Sequence, residues 1–342
     1  MYQNNRQEEY FMKKRYLLAM GALVMGLACT GCSGNSGQLD GGIIRIAYNQ
    51  APTHPHYQAL ERAGEKFKEA TGGRYEFLIY PNEVLGDQRA TLELIQNGAI
   101  QMAIVNNAMV ENYNKDFSIL GLPYIFDSQE HQKEVFTSGV LDPLFESTKE
   151  EGFEVMAAYT AGSRNVYTKK PIETPKDLDG MKIRVMESPT MVAMMKYMGG
   201  VGTPMSQGEV YTAIQQGVLD GGENNEITYV DLKHYEVAPV FSRTQHVMIP
   251  DLVIAESAYL ERMKPEDREL LTRILNDSVE DEFDLWNEQI EIAKEAAKEQ
   301  GVTFVDVDIR PFQENCKKLH EEAVSGSSFA GELYDRIRAL AR

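Results

Sequence analysis

Residues 182–220, KIRVMESPTMVAMMKYMGGVGTPMSQGEVYTAIQQGVLD, alternate between apolar runs and helical patterns, and this alternation decides the fold. The run KIRVM at 182–186 predicts a β-strand. Ser188, followed by proline, predicts a helix start, because serine caps free N–H groups and proline tolerates the first helical position. Ser206 and Glu209 have the spacing of a capping box and predict a second helix. The stretch therefore predicts a strand followed by two helices.

The same alternation extends along the chain on both sides of this stretch. Asp87 predicts another helix start, and Gly98 and Gly217 are suited to end helices. Residues 265–300 carry a long helical pattern whose acidic residues indicate a solvated face. Strands and helices in alternation predict α/β lobes with largely parallel sheets. The other predicted strands are IIRIA (43–47), YEFLIY (75–80), MAIVN (102–106), FEVMAAY (153–159) and DLVIA (251–255).

The composition excludes several classes of protein. The 342 residues include 34 Lys and Arg against 52 Asp and Glu, a formal net charge of -18. Binding to nucleic acid requires clustered cations that release counterions, so we expect no nucleic-acid partner. Only three cysteines occur, Cys29, Cys32 and Cys316, which cannot build a disulfide framework or a Cys-rich zinc site.

The N-terminus has the pattern of an export signal. Residues 13–15 are Lys-Lys-Arg, and residues 16–28 are uncharged and largely apolar. This run is shorter than the ~20 residues of a membrane-spanning helix, so residues 1–31 are interpreted as a signal peptide rather than a permanent span. Met12 begins the usual basic segment and is an alternative start to Met1. We therefore expect the mature protein outside the cytoplasm, in the periplasm where an outer membrane is present.

The segment TGCSG, residues 30–34, resembles a bacterial lipoprotein cleavage site. The resemblance implies lipidation of Cys32 and a membrane anchor, with Cys29 as the alternative acceptor and simple secretion as the remaining alternative. Residues 32–42 are rich in Gly and Ser and predict a flexible tether.

Signatures of common enzymes are missing from the sequence. It contains no HExxH metal pair, no phosphate-binding loop with Gly-Lys and no Gly-x-Ser-x-Gly turn. His54 and His56 flank a proline, but two histidines without a third ligand are weak evidence for a metal. We expect no metal, no cofactor and no catalytic residues.

Several ordered motifs resemble one known family. They are YP (80–81), LGDQR (85–89), LPYIF (122–126), GSRN (162–165), DLDGMKIRV (177–185) and TPMSQGEVYTAIQQGVLDGGENN (203–225). The chain resembles the solute-binding proteins of TRAP (tripartite ATP-independent periplasmic) transporters from Ile43 to about Val307.

The resemblance implies a two-lobed α/β fold of the periplasmic-binding-protein type, with a long helix bracing both lobes. Lobe I would comprise residues 43–161 plus about 250–289, and lobe II residues 162–249 plus about 290–342. The lobes would close on a small organic acid and pass it to the membrane permease subunits of the transporter. We expect the protein to act as a monomer.

The resemblance also implies the ligand anchor. Arg184 would form a bidentate salt bridge with the ligand carboxylate, Arg164 and Asn224 would complete the anchor, and Asn49 would contact the far end. In KIRVM the guanidinium of Arg184 points away from its apolar neighbours, and its planar fork matches a carboxylate. The alternative is a strand arginine paired with a nearby Asp or Glu. We expect Arg164 and Arg184 both to face the cleft without pairing to the protein's own acids.

The ligand class follows from further positions. Asn106 and Met109 stand where sialic-acid-binding relatives look to have Glu and Arg, and Gln207 replaces an aromatic residue. The motifs around His54 and Gln88 look more like the hexuronate-binding branch, which favours D-glucuronate or D-galacturonate. Polar side chains suited to sugar hydroxyls are Asn49, His54, Gln88, Asn106, Glu187 and Gln207.

Three alternatives remain open at this point. A C4-dicarboxylate or a hydroxy or keto acid would need fewer hydroxyl partners and a second cation. A sugar-acid enzyme would use His54 or His246 as its base. A lipid-anchored receptor could signal through a sensor protein instead of serving a permease.

Overall fold

The structure, a computed structural model, describes residues 37–341 of the 342-residue chain. The described residues from Asp40 onward form one compact unit, to which the description below refers. The predicted signal peptide with Cys29 and Cys32, and the tether up to residue 36, lie outside the described residues. Within 37–341, no helix has the length and apolar composition needed to cross a membrane.

The strands form two separate sheets. With the strands numbered along the chain and their residue ranges given at the end of this paragraph, the first sheet has the order β2-β1-β3-β10-β4. The second sheet has the order β11-β9-β5-β8-β6-β7. All six runs predicted as strands are confirmed, although β1 begins at Gly42, inside the predicted tether, and β6 ends before Met186. The strands are β1 (Gly42–Ala47), β2 (Tyr75–Tyr80), β3 (Met102–Asn106), β4 (Phe153–Tyr159), β5 (Arg164–Thr168), β6 (Lys182–Val185), β7 (Val201–Pro204), β8 (Gly221–Asn224), β9 (Val240–Val247), β10 (Asp251–Glu256) and β11 (Thr303–Asp306).

The sheets are mixed, so the prediction of largely parallel sheets is wrong in part. Every antiparallel pair contains β5 or β10: β10 pairs with β3 and β4, and β5 pairs with β8 and β9. The physical reason is the path of the chain. These two strands enter their sheets from the other sheet, through residues 160–163 and 248–250, and so run opposite to their neighbours.

Helices connect and cover the strands. As predicted, Asp87 caps α2 (Gln88–Gln96) and Ser188 caps α6 (Pro189–Met198), accepting from the N–H groups of Ala90 and Met191. The capping box is not formed, because the Ser206 hydroxyl donates to the Glu209 carboxylate and leaves the backbone uncapped. The α-helices are α1 (Pro55–Ala70), α2 (Gln88–Gln96), α3 (Asn107–Glu111), α4 (Gln129–Thr137), α5 (Asp142–Glu146), α6 (Pro189–Met198), α7 (Val210–Gln215), α8 (Glu226–Asp231), α9 (Ser257–Arg262), α10 (Pro265–Glu299), α11 (Arg310–Val324) and α12 (Ser328–Ala339). Short 3-10 helices cover Lys115–Gly121, Lys149–Glu151, Pro175–Leu178, Gln207–Glu209 and His234–Glu236.

The helix α10 is the brace that the sequence predicts. Its 35 residues span about 50 Å and pack against α1 and β4 on the side of the first sheet and against α8 on the side of the second. Its acidic residues are not all solvated, since Asp267 and Glu282 are buried and face Arg74 and His56. The helix therefore contributes buried charge as well as a solvent-facing surface.

Two segments and one helix link the parts of the molecule that carry the two sheets. In the segment 160–163, Gly162 has a φ of 61° and lies against the indole of Trp286 on α10, where a Cβ would come within 2.8 Å of the ring. At the C-terminus, α12 packs against the 3-10 helix at 115–121, which the predicted division assigns to lobe I. The exact lobe boundaries remain a prediction.

Candidate functional site

A cleft lies between the two sheets at the ends of several strands. Parallel strands expose their carboxyl ends at one edge of a sheet, which is where α/β folds commonly bind ligands. All nine residues proposed from the sequence line this one cleft: Asn49, His54, Gln88, Asn106, Arg164, Arg184, Glu187, Gln207 and Asn224. The structure thus brings the predicted set together, while the role of each residue in binding remains a prediction.

Arg184 is the buried cation of the cleft that keeps its donors available. Ile183 and Val185 point into the core, and the alternation of β6 turns Arg184 to the cleft, as predicted. Its Nε donates to the carbonyl oxygen of Met205 at 2.8 Å, and it forms no ion pair with any described residue. Burial and the charge of Arg164 lower its pKa, against the opposing effect of Glu223. Because no described residue accepts a hydrogen bond from its terminal Nη groups, these groups are available to an anion.

Arg164, in contrast, is paired with an acid of the protein, so the expectation that both arginines are free is wrong. Its Nε and Nη2 donate to the Glu223 carboxylate at 2.5 and 2.8 Å, and Nη2 also donates to the Glu223 carbonyl. Its Nη1 donates to Asn224 Oδ1 at 2.8 Å. The register of β5 against β8 places these residues side by side. One Nη1 hydrogen is left for a ligand.

Glu223 holds this pair in its charged form. Burial raises the pKa of its carboxyl, but the charge of Arg164 and a hydrogen bond from His246 outweigh burial and lower that pKa to about 2. His246 Nε2 lies 3.3 Å from the carboxylate, and its Nδ1 lies 2.8 Å from the Thr244 hydroxyl. The positive charge of Arg164 is thus balanced inside the protein, while Arg184 has no such partner among residues 37–341.

Asn224 presents a donor to the cleft. Its Oδ1 accepts from Arg164 and from the backbone N–H of Asn225 at 2.9 Å. The amide Nδ2 forms no hydrogen bond to a described residue. The geometry therefore aligns a donor beside the two guanidinium groups, as the predicted anchor requires.

Three of the predicted polar residues also have structural roles. His54 caps α1, and Asn106 caps α3 by accepting from the N–H of Met109 at 2.9 Å. Gln88 Oε1 accepts from the backbone N–H and the side-chain amide of Asn106 at 2.9 and 2.5 Å. These hydrogen bonds hold the three side chains at the cleft. The Nε2 groups of His54 and Gln88 have no hydrogen-bond partner among the described residues.

The cleft also contains acidic residues that the sequence reasoning missed. Glu83 and Asp87 line it together with Glu187. Burial and the nearby charge of Asp87 raise the pKa of Glu83, while Arg184 opposes the shift. Glu83 lies shortly after β2 and has a φ of 55°. Its position after the carboxyl end of a parallel strand is the sequence signal that could have identified it as a cleft residue.

Contacts across the mouth show that the cleft is closed. Arg89 and Glu187 approach to 3.6 Å, and Asn112 donates to the Glu187 carbonyl at 2.8 Å. Deeper in the cleft, Gln50 donates to the Thr228 hydroxyl at 3.4 Å. Asn49 and Gln207 line the same space without hydrogen bonds to described residues. The closed arrangement allows both halves to touch one enclosed ligand.

Replacing Glu223 by Gln should lower the free energy of unfolding by about 3–5 kcal/mol at neutral pH, because Arg164 would stay buried without its counter-charge. The folded pKa of about 2 lies below the ordinary 4.5, so this stabilisation is present above pH 4.5 and lost as the pH falls through about 2. Urea unfolding at several pH values measures it.

The difference in the free energy of unfolding between wild type and Glu223→Gln should shrink as the solution becomes acidic. The exposed Glu236, which accepts from the Tyr211 hydroxyl, is a matched control, and Glu236→Gln should change stability little. A difference that stays constant across the pH range would show that the ionised pair does not stabilise the fold.

Comparison with known proteins agrees with this geometry. The model of the family described as bacterial extracellular solute-binding protein, family 7, matches residues 46–326. A TRAP periplasmic solute-binding protein from Anaerococcus prevotii, solved with bound alpha/beta D-glucuronate, is 39% identical, with a TM-score of 0.84 over 87% of this chain and 97% of that one.

Two more distant relatives bear on ligand class. A TRAP periplasmic solute-binding protein from a Bradyrhizobium species, in complex with alpha/beta-D-galacturonate, is 29% identical, with a TM-score of 0.85 over 87% of this chain and all of that one. The C4-dicarboxylate-binding protein DctB of Bacillus subtilis is 23% identical over 81% of this chain and 80% of its own length. The chain belongs to the bacterial extracellular solute-binding proteins of family 7 and is a solute-binding protein of the TRAP transporter type.

Proposed function

We propose that this protein captures a hexuronate, D-glucuronate or D-galacturonate, and delivers it to a TRAP permease. The observation that carries the proposal is the buried guanidinium of Arg184, which forms no ion pair with a described residue, in a closed cleft. A planar guanidinium with free Nη groups matches a carboxylate in two parallel hydrogen bonds. Asn224 and the remaining Nη1 hydrogen of Arg164 would donate to the same group.

The charges around the cleft favour one carboxylate over two. Arg184 forms no ion pair with a described residue, whereas the carboxyl groups of Glu83, Asp87 and Asp251 also line the cleft. A second carboxylate on the ligand would meet these acids, while sugar hydroxyls can donate hydrogen bonds to them. Two structural neighbours with bound uronates support the same class. A hydroxy monocarboxylate fits this arrangement better than a C4-dicarboxylate.

The contacts of His54 and His246, the two histidines considered as catalytic bases, fit a protein that binds its ligand without reacting with it. His246 contacts Glu223 and the Thr244 hydroxyl with its two ring nitrogens. His54 uses Nδ1 to cap α1 and to contact the Tyr48 hydroxyl. Burial lowers the pKa of both rings, which weakens them as proton acceptors. We therefore assign binding and not catalysis to this site.

Replacing Arg184 by Ala should reduce affinity for D-glucuronate by about 2–5 kcal/mol, at least roughly thirtyfold, because the carboxylate would lose its counter-charge. Arg184→Lys should lose nearly as much, since an ammonium cannot form the paired hydrogen bonds. Isothermal titration calorimetry measures both variants. Arg243 lies outside the cleft in an ion pair with Asp306, so Arg243→Ala is the control, and unchanged affinity in Arg184→Ala would disprove the anchor.

A thermal-shift screen over sugar acids, C4-dicarboxylates and keto acids should identify the hexuronates as stabilising ligands. A ligand at ~100 times its dissociation constant stabilises the folded state by about 2.7 kcal/mol. NMR of the ligand after incubation should show it unchanged. Stabilisation by succinate or malate alone would support the dicarboxylate alternative, and a new product would support an enzyme.

We further propose that Cys32 is lipidated, that the protein is a membrane-anchored monomer, and that its partners are the permease subunits. The TGCSG segment at 30–34 supports the anchor. Mass spectrometry of the mature protein should detect an acylated N-terminal cysteine that Cys32→Ser lacks. Loss of the lipid from Cys29→Ser instead would move the assignment to the earlier cysteine.

A further inference from the structure

A cluster of titratable side chains lies in and beside the cleft, and three of its members line the cleft directly. Tyr48 follows β1, His54 and His56 stand at the start of α1, Asp251 begins β10, and Glu282 lies on α10. Tyr48, the two histidines and Glu282 are at most 3% exposed. The proposed anchoring of a carboxylate uses none of these groups.

The contacts determine which nitrogen of His54 carries the proton. His54 Nδ1 accepts from the backbone N–H of His56 at 3.3 Å, so this nitrogen carries no hydrogen. It also lies 2.7 Å from the Tyr48 hydroxyl, which must therefore donate to it. The neutral ring then has its proton on Nε2, which forms no hydrogen bond to a described residue.

The same argument gives the charge of His56. Its Nε2 lies 2.7 Å from the Thr160 carbonyl oxygen, which only accepts, so Nε2 is protonated. Its Nδ1 lies 3.1 Å from the Tyr48 oxygen, whose hydrogen is already donated to His54. Nδ1 must therefore donate as well. A ring that donates from both nitrogens is an imidazolium cation.

Two carboxyl groups and two aromatic rings surround the imidazole of His56. Asp251 lies 3.4 Å from Nδ1 and Glu282 lies 3.3 Å from Nε2. The rings of Tyr159 and Trp286 cover the imidazole, with centroids 5.5 Å away. Burial lowers the pKa of His56, but the two carboxylates and Thr160 outweigh it and raise that pKa. Burial and the charge of His56 lower the pKa of His54 and keep it neutral.

The cluster also holds the backbone at one of the two crossings between the sheets. Thr160, in segment 160–163, donates its N–H to Glu282 at 3.0 Å and accepts from His56 through its carbonyl. Hydrogen bonds therefore run without interruption from the crossing, through His56 and Tyr48, to the ring of His54 at the cleft.

We propose that His54 recognises an acceptor oxygen of the bound sugar acid through its Nε2–H, and that Tyr48 and His56 are positioning residues that fix this tautomer. The proposal rests on the proposed function, because it identifies a specificity determinant of the same cleft. A neutral donor here selects ligands with a hydroxyl or ring oxygen at that point, since an unmatched buried donor disfavours binding.

The protonation pattern can be tested without any ligand. In 15N-labelled wild-type protein below pH 6.5, long-range 1H–15N NMR should show His54 protonated only at Nε2 and His56 protonated at both nitrogens. Assignments come from His54→Asn and His56→Gln. A His54 proton on Nδ1, or a neutral His56, would overturn the proposal whatever the protein binds.

Ligand titration tests the consequence for recognition. Tyr48→Phe removes the hydroxyl that fixes the tautomer, and His54→Asn keeps a capping side chain but shortens the donor; each should weaken D-glucuronate binding by about three- to tenfold. Tyr229→Phe removes a buried hydroxyl that donates to the Ala238 carbonyl outside the cleft and is the matched control, with affinity unchanged.

The outcomes separate the two proposals. Failure of the wild type to bind any hexuronate would refute the proposed ligand. The NMR result would then still decide whether Tyr48 and His56 fix the tautomer of His54. Normal hexuronate affinity in both variants, with melting temperatures near wild type, would refute recognition by His54 and leave the Arg184 anchor standing.

Discussion

The buried pair of Arg164 and Glu223 is the interaction on which the rest of the cleft depends. It neutralises one guanidinium inside the protein and, through Asn224, orients the donors next to it. Arg184 consequently remains the cation whose charge is not balanced by a partner among the described residues. In a chain with a net charge of -18, attraction of an anion must come from such a local, desolvated cation.

The cleft is connected mechanically to the crossings beneath it. Segment 160–163 leads directly into Arg164, segment 248–250 leads directly into Asp251, and α10 packs along both parts of the fold. Hydrogen bonds from His56 and Glu282 to Thr160 join the first segment to α1 and α10. Movement at the crossings would therefore alter the side chains that face the ligand.

Local signals were sufficient for much of this molecule. Short apolar runs identified six strands, and the alternation around Arg184 placed its guanidinium opposite the core, because side chains point to alternate faces along one strand. The pairing of Arg164 could not be deduced in the same way. Glu223 is 59 residues away, and only the register of β5 against β8 brings the two charges together. The mixed direction of the sheets likewise depends on where the chain crosses between them.

The sequence by itself determined the family, six of the described strands and nine polar residues of the cleft, because motifs and apolar runs are properties of short segments. Tertiary structure alone decided which of those residues keep free donors. His54 and Asn106 serve as local helix caps, whereas Arg164 is neutralised by Glu223, a partner that is distant in the chain, in a site that excludes water.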